Sequence, residues 1–359
     1  RRYQPQLCLA QMAVPDPSEP DGVRTELLDP LDGFEPQPIA SVLSDTEIEV
    51  ILHAGRQDIA LLRRTLRTEV RGVFDTQVAA GFLGFGTQEG YESLVRKVLG
   101  VQLRGSEGFT RWDRRPLTPA QLAYARDDAR CLLALGAELT RRLSERGRLA
   151  WAREECRSLE HSSDVRDPDR VYERLPRIGR LRADQRAAAR ALVDWRERTA
   201  RGIDRPPGFL VSDQSLVELA RQLPQSPEEL LEIRGLSSQT ARRRGAELLD
   251  VIARGRSQPP PPPPPEAPRR DPDQAPLVSL AQALVRHRCL HAGVAVDLVA
   301  TQGELAALVD AARNSGVGQH RVMEGWRREL VGAELEELLS GRLSLRVDGQ
   351  GALQVSPRP

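Results

Sequence analysis

A run of seven consecutive prolines, residues 259–265, is the feature that most restricts how this chain can fold. Proline lacks the backbone N–H that helices and sheets require, so a repeat of it adopts an extended polyproline helix of about 3 Å per residue. The run therefore predicts a stiff linker, residues 257–272, between separately folded regions. Recognition of the prolines by an SH3-type domain is the alternative that such a run leaves open.

Hydrophobic patterning divides the rest of the chain. The first region mixes strand and helix patterns, which indicates an α/β layer domain, and the later regions have helical spacing. In the first region, runs 6–14 and 24–31 predict a hairpin, run 48–55 a buried strand, and run 118–147 a long helix that begins at Thr118 and Pro119. The predicted regions are an α/β domain (1–147), a helical connector (148–180), a helical domain (181–256), a second helical domain (273–349) and a disordered tail (350–359).

Composition excludes several classes of protein. No apolar run approaches the length that spans a membrane. Four cysteines are far apart in sequence, at positions 8, 131, 156 and 289, which is typical of a reduced, cytoplasmic protein and not of a disulfide scaffold or zinc site. Lys and Arg total 52 against 51 Asp and Glu, so net charge gives no indication of nucleic-acid binding. His287 and His291 lie four residues apart, but without a third ligand they are interpreted as surface or packing residues.

The first motif with chemical potential is His53-Ala54-Gly55-Arg56-Gln57-Asp58. A buried strand ends at a glycine turn, and a helix then opens with an acid. Because ligands of α/β sheets bind at the carboxyl ends of strands, Asp58 occupies a position where a site would form. Taken alone, the six residues favour the other interpretation, in which Asp58 is a helix-capping acid in the first turn.

The second motif is Tyr124 and Asp128, which lie four residues apart on the long predicted helix. This spacing places the phenol and the carboxylate on one face, while Asp127 points about 100° away. Two-metal phosphoryl transfer needs carboxylates to hold the ions and a polar group to orient the attacking water. Taken alone, a Tyr-x-x-x-Asp pair is most often an ordinary helix surface.

The residues between and after these motifs strengthen the interpretation. The two motifs, H-A-G-x-x-D and Y-x-x-x-D, resemble those of the ribonuclease D family within the DEDD-type 3′–5′ exonucleases, and residues 181–256 look like an HRDC domain, a helical nucleic-acid-binding module. Residues 273–349 are similar to the further helical domain of some ribonuclease D proteins. The string between the motifs matches the family at Trp112, Arg115, Pro116, Leu117, Thr118, Gln121, Tyr124 and Ala125.

The resemblance implies an α/β ribonuclease H-like exonuclease domain followed by one or two all-α HRDC-type domains. It also implies hydrolytic removal of RNA 3′-terminal nucleotides as 5′-monophosphates, notably from tRNA precursors, with Mg²⁺ or Mn²⁺ as the metal. Asp58 and Asp128 would be metal-binding carboxylates, and Tyr124 would orient the water. Substrate contacts are expected from His53, Gln77 and Trp112, and from the basic stretch Arg242, Arg243 and Arg244. No obligate protein partner is indicated.

Asp45 and Glu47 have the Asp-x-Glu form of the family's first motif, but they precede the strand that Asp58 follows. A six-residue strand separates its ends by roughly 20 Å, so these acids cannot share metals with Asp58. We therefore expect the first strand and its Asp-x-Glu to lie before Arg1, and the chain as given to be impaired in cleavage. The alternatives are a non-catalytic nucleic-acid-binding protein with a degenerate exonuclease scaffold, or an exonuclease that acts on DNA.

Overall fold

The computed structural model describes residues 2–103, 110–262, 272–314, 316–318 and 320–358. The chain divides into two units. One, here called the mixed unit, comprises residues 7–163 and 270–359, and the other, the helical unit, comprises residues 1–6 and 164–269. Most of the predicted linker, from residue 263 to 271, lies outside the described residues.

The first part of the mixed unit follows the predicted order of strands and helices. Its elements are β1 (Ala10–Pro15), β2 (Val23–Leu28), α1 (Pro36–Ser44), β3 (Val50–Leu52), α2 (Arg56–Leu66), β4 (Val73–Asp75), α3 (Thr76–Gly81), α4 (Tyr91–Leu99), α5 (Pro119–Glu145) and α6 (Leu149–Arg157).

Two strand pairs organise this part. Strands β1 and β2 form the predicted antiparallel hairpin, with Ala10 opposite Leu28. Strands β3 and β4 pair in parallel over three residues each. The strand predicted at 48–55 is thus shorter in the structure, because it is preceded by a turn and because Ala54 leaves extended geometry at φ 53°.

Helix α5 is the longest of the described helices and packs across β3. Its start is fixed by a capping box, in which the Thr118 side chain accepts from the Gln121 N–H and the Gln121 side chain accepts from the Thr118 N–H. At Gly136 a Cβ would lie 2.8 Å from Cδ1 of Ile51, so any larger residue there would require the Ile51 side chain to shift.

The C-terminal region belongs to the same hydrophobic core as the first part of the mixed unit. Rings of Phe82 and Trp326 lie 4.7 Å apart between centroids, edge to face, and Leu139 and Leu284 join the same buried cluster. The expectation of a separately folded domain at 273–349 is therefore corrected. Its elements are α13 (Gln274–Ala292), α14 (Val296–Val299), α15 (Gln302–Asn314), α16 (Gly325–Arg327), a π-helical turn (Arg328–Gly332), α17 (Ala333–Leu339), β5 (Leu343–Val347) and β6 (Leu353–Pro357).

The chain end also differs from expectation. Residues 353–357 of the predicted disordered tail instead form a strand, because Leu353–Pro357 pairs antiparallel with Leu343–Val347. Leu343, Leu345 and Val355 contribute to or pack against the core of the mixed unit, and this burial stabilises the hairpin.

The helical unit is built around Trp195, Leu216 and Leu248. It begins before the predicted boundary at 181, since Tyr172 and Ile178 belong to its core, so the predicted connector is divided between the two units. Its helices are α7 (Pro168–Glu173), α8 (Ala183–Gly202), α9 (Pro207–Leu210), α10 (Asp213–Gln222), α11 (Pro227–Leu231) and α12 (Ser238–Gly255). Within the described parts of the chain, no helix is long and apolar enough to cross a bilayer.

Candidate active site

The turn that joins β3 to α2 positions the first predicted carboxylate. Ala54 adopts a left-handed conformation and Gly55 is the N-cap of α2, where a Cβ would meet Leu52 atoms at 2.8 Å. Asp58 follows in the first turn of the helix. Gly55, and not Asp58, occupies the N-cap position of α2. Asp58 can therefore stabilise the helix only through its charge near the positive end of the helix dipole.

A second aspartate, Asp75 at the end of β4, is hydrogen-bonded to the backbone of this turn. Its carboxylate is 1% exposed and accepts hydrogen bonds from four backbone N–H groups. Those of Ala54 (3.2 Å) and Gly55 (2.7 Å) belong to the turn, and those of Gln77 (2.9 Å) and Val78 (3.2 Å) belong to the start of α3. One buried carboxylate therefore joins the β3–α2 turn to the neighbouring strand and helix.

Burial and, to a smaller extent, the neighbouring Asp75 determine the ionisation of Asp58. The Asp58 side chain reaches solvent, yet the surrounding protein and the negative charge of Asp75 raise the pKa of its carboxyl above the ordinary value. A carboxylate held in this way is destabilised in its charged form, and a nearby cation would relieve that cost.

The second motif lies on α5 as predicted. Tyr124 and Asp128 are both half-buried and lie one turn apart on the same face of α5. Burial raises the pKa of Asp128, the nearby Tyr124 phenol opposes this, and the charge of Asp127 adds to the rise. Asp127 itself is exposed, in agreement with its predicted direction. The Trp112 ring lies 6.3 Å from that of Tyr124, between centroids.

Tyr91, the first residue of α4, connects the two motifs. Its hydroxyl donates to the Asp128 carbonyl at 2.5 Å, and its ring lies 5.3 Å from the His53 ring. His53 Nδ1 in turn lies 2.9 Å from Thr76 Oγ1 at the start of α3. The strand-end turn and the α5 motif therefore converge on Tyr91, although His53 and Asp128 are 75 positions apart in the sequence.

Burial lowers the pKa of His53, which favours the neutral imidazole at pH 7. Its contact with Thr76 is a hydrogen bond within the scaffold, not a contact that points outward. Gln77 is held similarly, since its side-chain amide donates to the Glu89 carbonyl at 3.0 Å. Substrate contact by either side chain therefore stays a prediction.

Asp45 and Glu47 lie apart from this arrangement. Both side chains are exposed before β3, and the Asp45 carboxylate accepts the Glu47 N–H at 2.9 Å in a local turn. Across the described ranges, no group of three or more His, Cys, Asp or Glu side chains is placed to enclose a metal ion.

The predicted basic stretch lies on α12 of the helical unit. Arg242 and Arg243 are exposed, whereas the Arg244 guanidinium donates to Glu247 at 2.7 Å. Arg242 and Arg243 are thus better placed than Arg244 to contact an anionic ligand.

The sequence gives little indication that two residues, Asp75 and Tyr91, contribute to this site. Asp75 is followed by Thr76 and Gln77 at a strand end, a pattern that suits a helix N-cap but does not show that the carboxylate also holds a distant turn. Tyr91 follows Gly90 at the start of an amphipathic helix, and its link to α5 depends on tertiary packing alone.

Comparisons with known proteins indicate which families the chain resembles. Residues 1–144 match the 3′–5′ exonuclease family, and residues 185–252 match the HRDC domain. The ribonuclease D of Gluconacetobacter diazotrophicus is 34% identical over 357 residues, which cover 97% of this chain and 87% of that protein. The ribonuclease D of a Jannaschia species is 33% identical over 98% of this chain and 90% of that protein. The crystal structure of Escherichia coli RNase D, an exoribonuclease involved in structured RNA processing, superposes with a TM-score of 0.81 at 28% identity, over 95% of this chain and 90% of that one.

Proposed function

The chain belongs to the ribonuclease D family, and from this premise we propose that it is a 3′–5′ exoribonuclease that hydrolyses RNA from its 3′ end and releases nucleoside 5′-monophosphates. Its mixed unit contains the ribonuclease H-like exonuclease domain, and its helical unit contains the HRDC domain. Precursor tRNA with a 3′ extension is the proposed substrate.

The observation that carries this proposal is the convergence of the two motifs on Tyr91. A hydrogen bond to the Asp128 carbonyl and a ring contact with His53 bring the α5 motif to the carboxyl end of β3. An exonuclease needs acids and a water-orienting group at one place, and this contact supports the proposal that Asp58, Asp128 and Tyr124 act together there.

The donor set suits a divalent cation in its chemistry. Carboxylate oxygens are preferred ligands of Mg²⁺ and Mn²⁺, and Asp58 and Asp128 both have raised pKa values that a bound cation would lower. These two residues would hold the metal, with water and substrate phosphate oxygens completing the coordination. The bound metal would polarise the phosphate and stabilise the charge that develops on it.

Individual side chains of the protein would have different roles in hydrolysis. The Tyr124 phenol, one turn before Asp128 on the same face of α5, would orient the attacking water. Trp112 lies beside this phenol and offers an aromatic face to the terminal base. On the helical unit, exposed Arg242 and Arg243 would add affinity through phosphate contacts that weaken as salt rises.

The deciding experiment compares Asp128→Asn with Asp127→Asn in the full-length protein, on tRNA with a 3′ extension. Asp127 is the matched control because it is the adjacent, exposed acid on the same helix. We expect Asp128→Asn to lower the trimming rate by about 100-fold or more, and Asp127→Asn to leave it nearly unchanged.

Three outcomes would contradict parts of the proposal. Trimming that survives Asp128→Asn would remove Asp128 from the site. RNA binding without any cleavage by the wild-type protein would favour the binding-module alternative. Faster digestion of a DNA strand than of RNA of the same sequence would favour a DNA exonuclease.

A further inference from the structure

We propose that Asp75 is a positioning residue of the hydrolytic site, which fixes the backbone of the β3–α2 turn and thereby the placement of Asp58. The inference rests on the proposed function, but its central claim concerns the geometry of the turn and can be measured without activity.

The hydrogen bonds of Asp75 are the first support. A carboxylate has room for about four acceptor interactions, and each of the four described for Asp75 comes from a backbone N–H. Two are donated by Ala54 and Gly55, immediately before the helix that carries Asp58. The shortest, 2.7 Å from the Gly55 N–H, ends at the N-cap of that helix.

The strained backbone at Ala54 is the second support. A non-glycine residue with φ of 53° persists only when its surroundings hold it there. The Ala54 N–H donates to Asp75 Oδ1 at 3.2 Å, so the same carboxylate supplies the restraint at the strained position. Without it, the turn could relax and carry the start of α2 away.

Asp75 is itself held rigidly, as a positioning residue must be. Its side chain is almost fully buried, and its backbone N–H donates to the Cys156 thiol at 3.3 Å. Burial raises the pKa of Cys156 to about 12, so the sulfur stays a neutral thiol that accepts this bond. Helix α6 thus fixes the backbone of Asp75, and the Asp75 side chain fixes the turn.

The experiment compares Asp75→Asn with Asp45→Asn in the full-length protein. Asp45 is the matched control, since it also accepts a backbone N–H near an end of β3 but is exposed and outside the site. We expect Asp75→Asn to lower kcat by about 10- to 100-fold with KM for RNA changed less than about threefold, and Asp45→Asn to change neither.

Hydrogen exchange of a peptide covering residues 50–58 gives the readout that is independent of activity. We expect faster exchange in this segment for Asp75→Asn while exchange in the middle of α5 stays at the wild-type rate. Unchanged exchange at 50–58 would overturn the proposal, and so would accelerated exchange with a wild-type kcat. If the wild-type protein has no nuclease activity, the proposed function fails while the exchange result still decides the role of Asp75.

Two further variants separate positioning from a general loss of structure. Adding Ala54→Gly to Asp75→Asn should restore part of kcat, because glycine adopts positive φ without strain. Gly55→Ala retains Asp75 but drives a Cβ against Leu52, and it should lower kcat because the turn must shift to relieve the contact. Absence of rescue together with full activity of Gly55→Ala would refute the positioning role, even if Asp75→Asn itself does not fold.

Discussion

Glu155, on α6, should be essential for the stability of the mixed unit. Its carboxylate accepts from Arg321 (3.0 Å), Trp326 (3.2 Å) and Arg327 (2.6 Å), all from the C-terminal region. The Arg327 residue is 5% exposed, and burial lowers its pKa. Glu155→Ala would leave this guanidinium with the Leu298 carbonyl as its remaining described acceptor.

The expected magnitude follows from the burial of the pair. Removing one partner of a buried ion pair typically costs about 3–5 kcal/mol, because the other charge stays buried without compensation. For a unit of this size each kcal/mol lowers Tm by about 2–4 °C, so we expect a fall of roughly 6–20 °C. Calorimetry of the full-length protein would measure it.

Glu138→Ala is the matched control. Glu138 also accepts short hydrogen bonds from two arginines, Arg141 and Arg142, but their side chains are 55% and 31% exposed, against 7% for Arg327. Water solvates those arginines after the substitution, so the change in Tm should be small. Equal shifts of Tm for Glu138→Ala and Glu155→Ala would refute the argument from burial.

Replacing both partners tests the mechanism directly. The double variant Glu155→Leu with Arg327→Met removes the orphaned charge, so it should be more stable than Glu155→Ala. If the double variant instead loses the sum of the two single effects, the cost does not come from an uncompensated charge.

The remaining predictions concern single groups. Tyr91→Phe removes the hydrogen bond to the α5 backbone, so it should lower stability by about 1 kcal/mol and reduce kcat. Tyr172→Phe should be neutral in thermal unfolding, since the buried Tyr172 hydroxyl has no partner among the described residues. The pKa of Asp58 is raised in the folded protein, so the protein loses stability as pH rises through that pKa and Asp58 ionises. Below the pKa that Asp58 has in the unfolded chain, this loss is absent. Asp58→Asn should therefore raise Tm of the metal-free protein near pH 7 and not at pH 3, and a wild-type Tm that is higher at both would contradict this. Arg242→Ala should weaken RNA binding and reduce the salt slope by about 1, with a smaller effect for Arg244→Ala; equal losses of affinity would place both at the phosphates.

The sequence predicted helices best where a single local rule, the preference for certain capping residues, decides where a helix begins or ends. Thr118 and Pro119 mark the start of α5, and Gly100 ends α4 in a left-handed conformation, because caps depend on neighbouring residues alone. The apolar run that predicts a buried strand was also present at 48–55, but the β3–α2 turn shortened that strand. Turn geometry here depends on Asp75, which is distant in sequence, so local patterning could not reveal it.

The site shows the same division between local and tertiary information. Tyr124 and Asp128 share a helix face by spacing, and that was predictable from the helical repeat. The contact of Tyr91 with both motifs and the shared core of Phe82 with Trp326 arise from packing between distant segments. The proline run pointed to a boundary, yet hydrophobic burial joined the segments on either side of the helical unit into one core.

This discontinuous core has a consequence for synthesis of the protein on the ribosome. The mixed unit is interrupted by residues 164–269, so its first part must wait for the helical unit to be translated before its C-terminal helices exist. At about 5–20 residues per second the delay is roughly 5–20 s, during which Phe82 has no Trp326 to cover it. A nascent chain in that interval exposes an unfinished apolar surface, and molecular chaperones bind such surfaces.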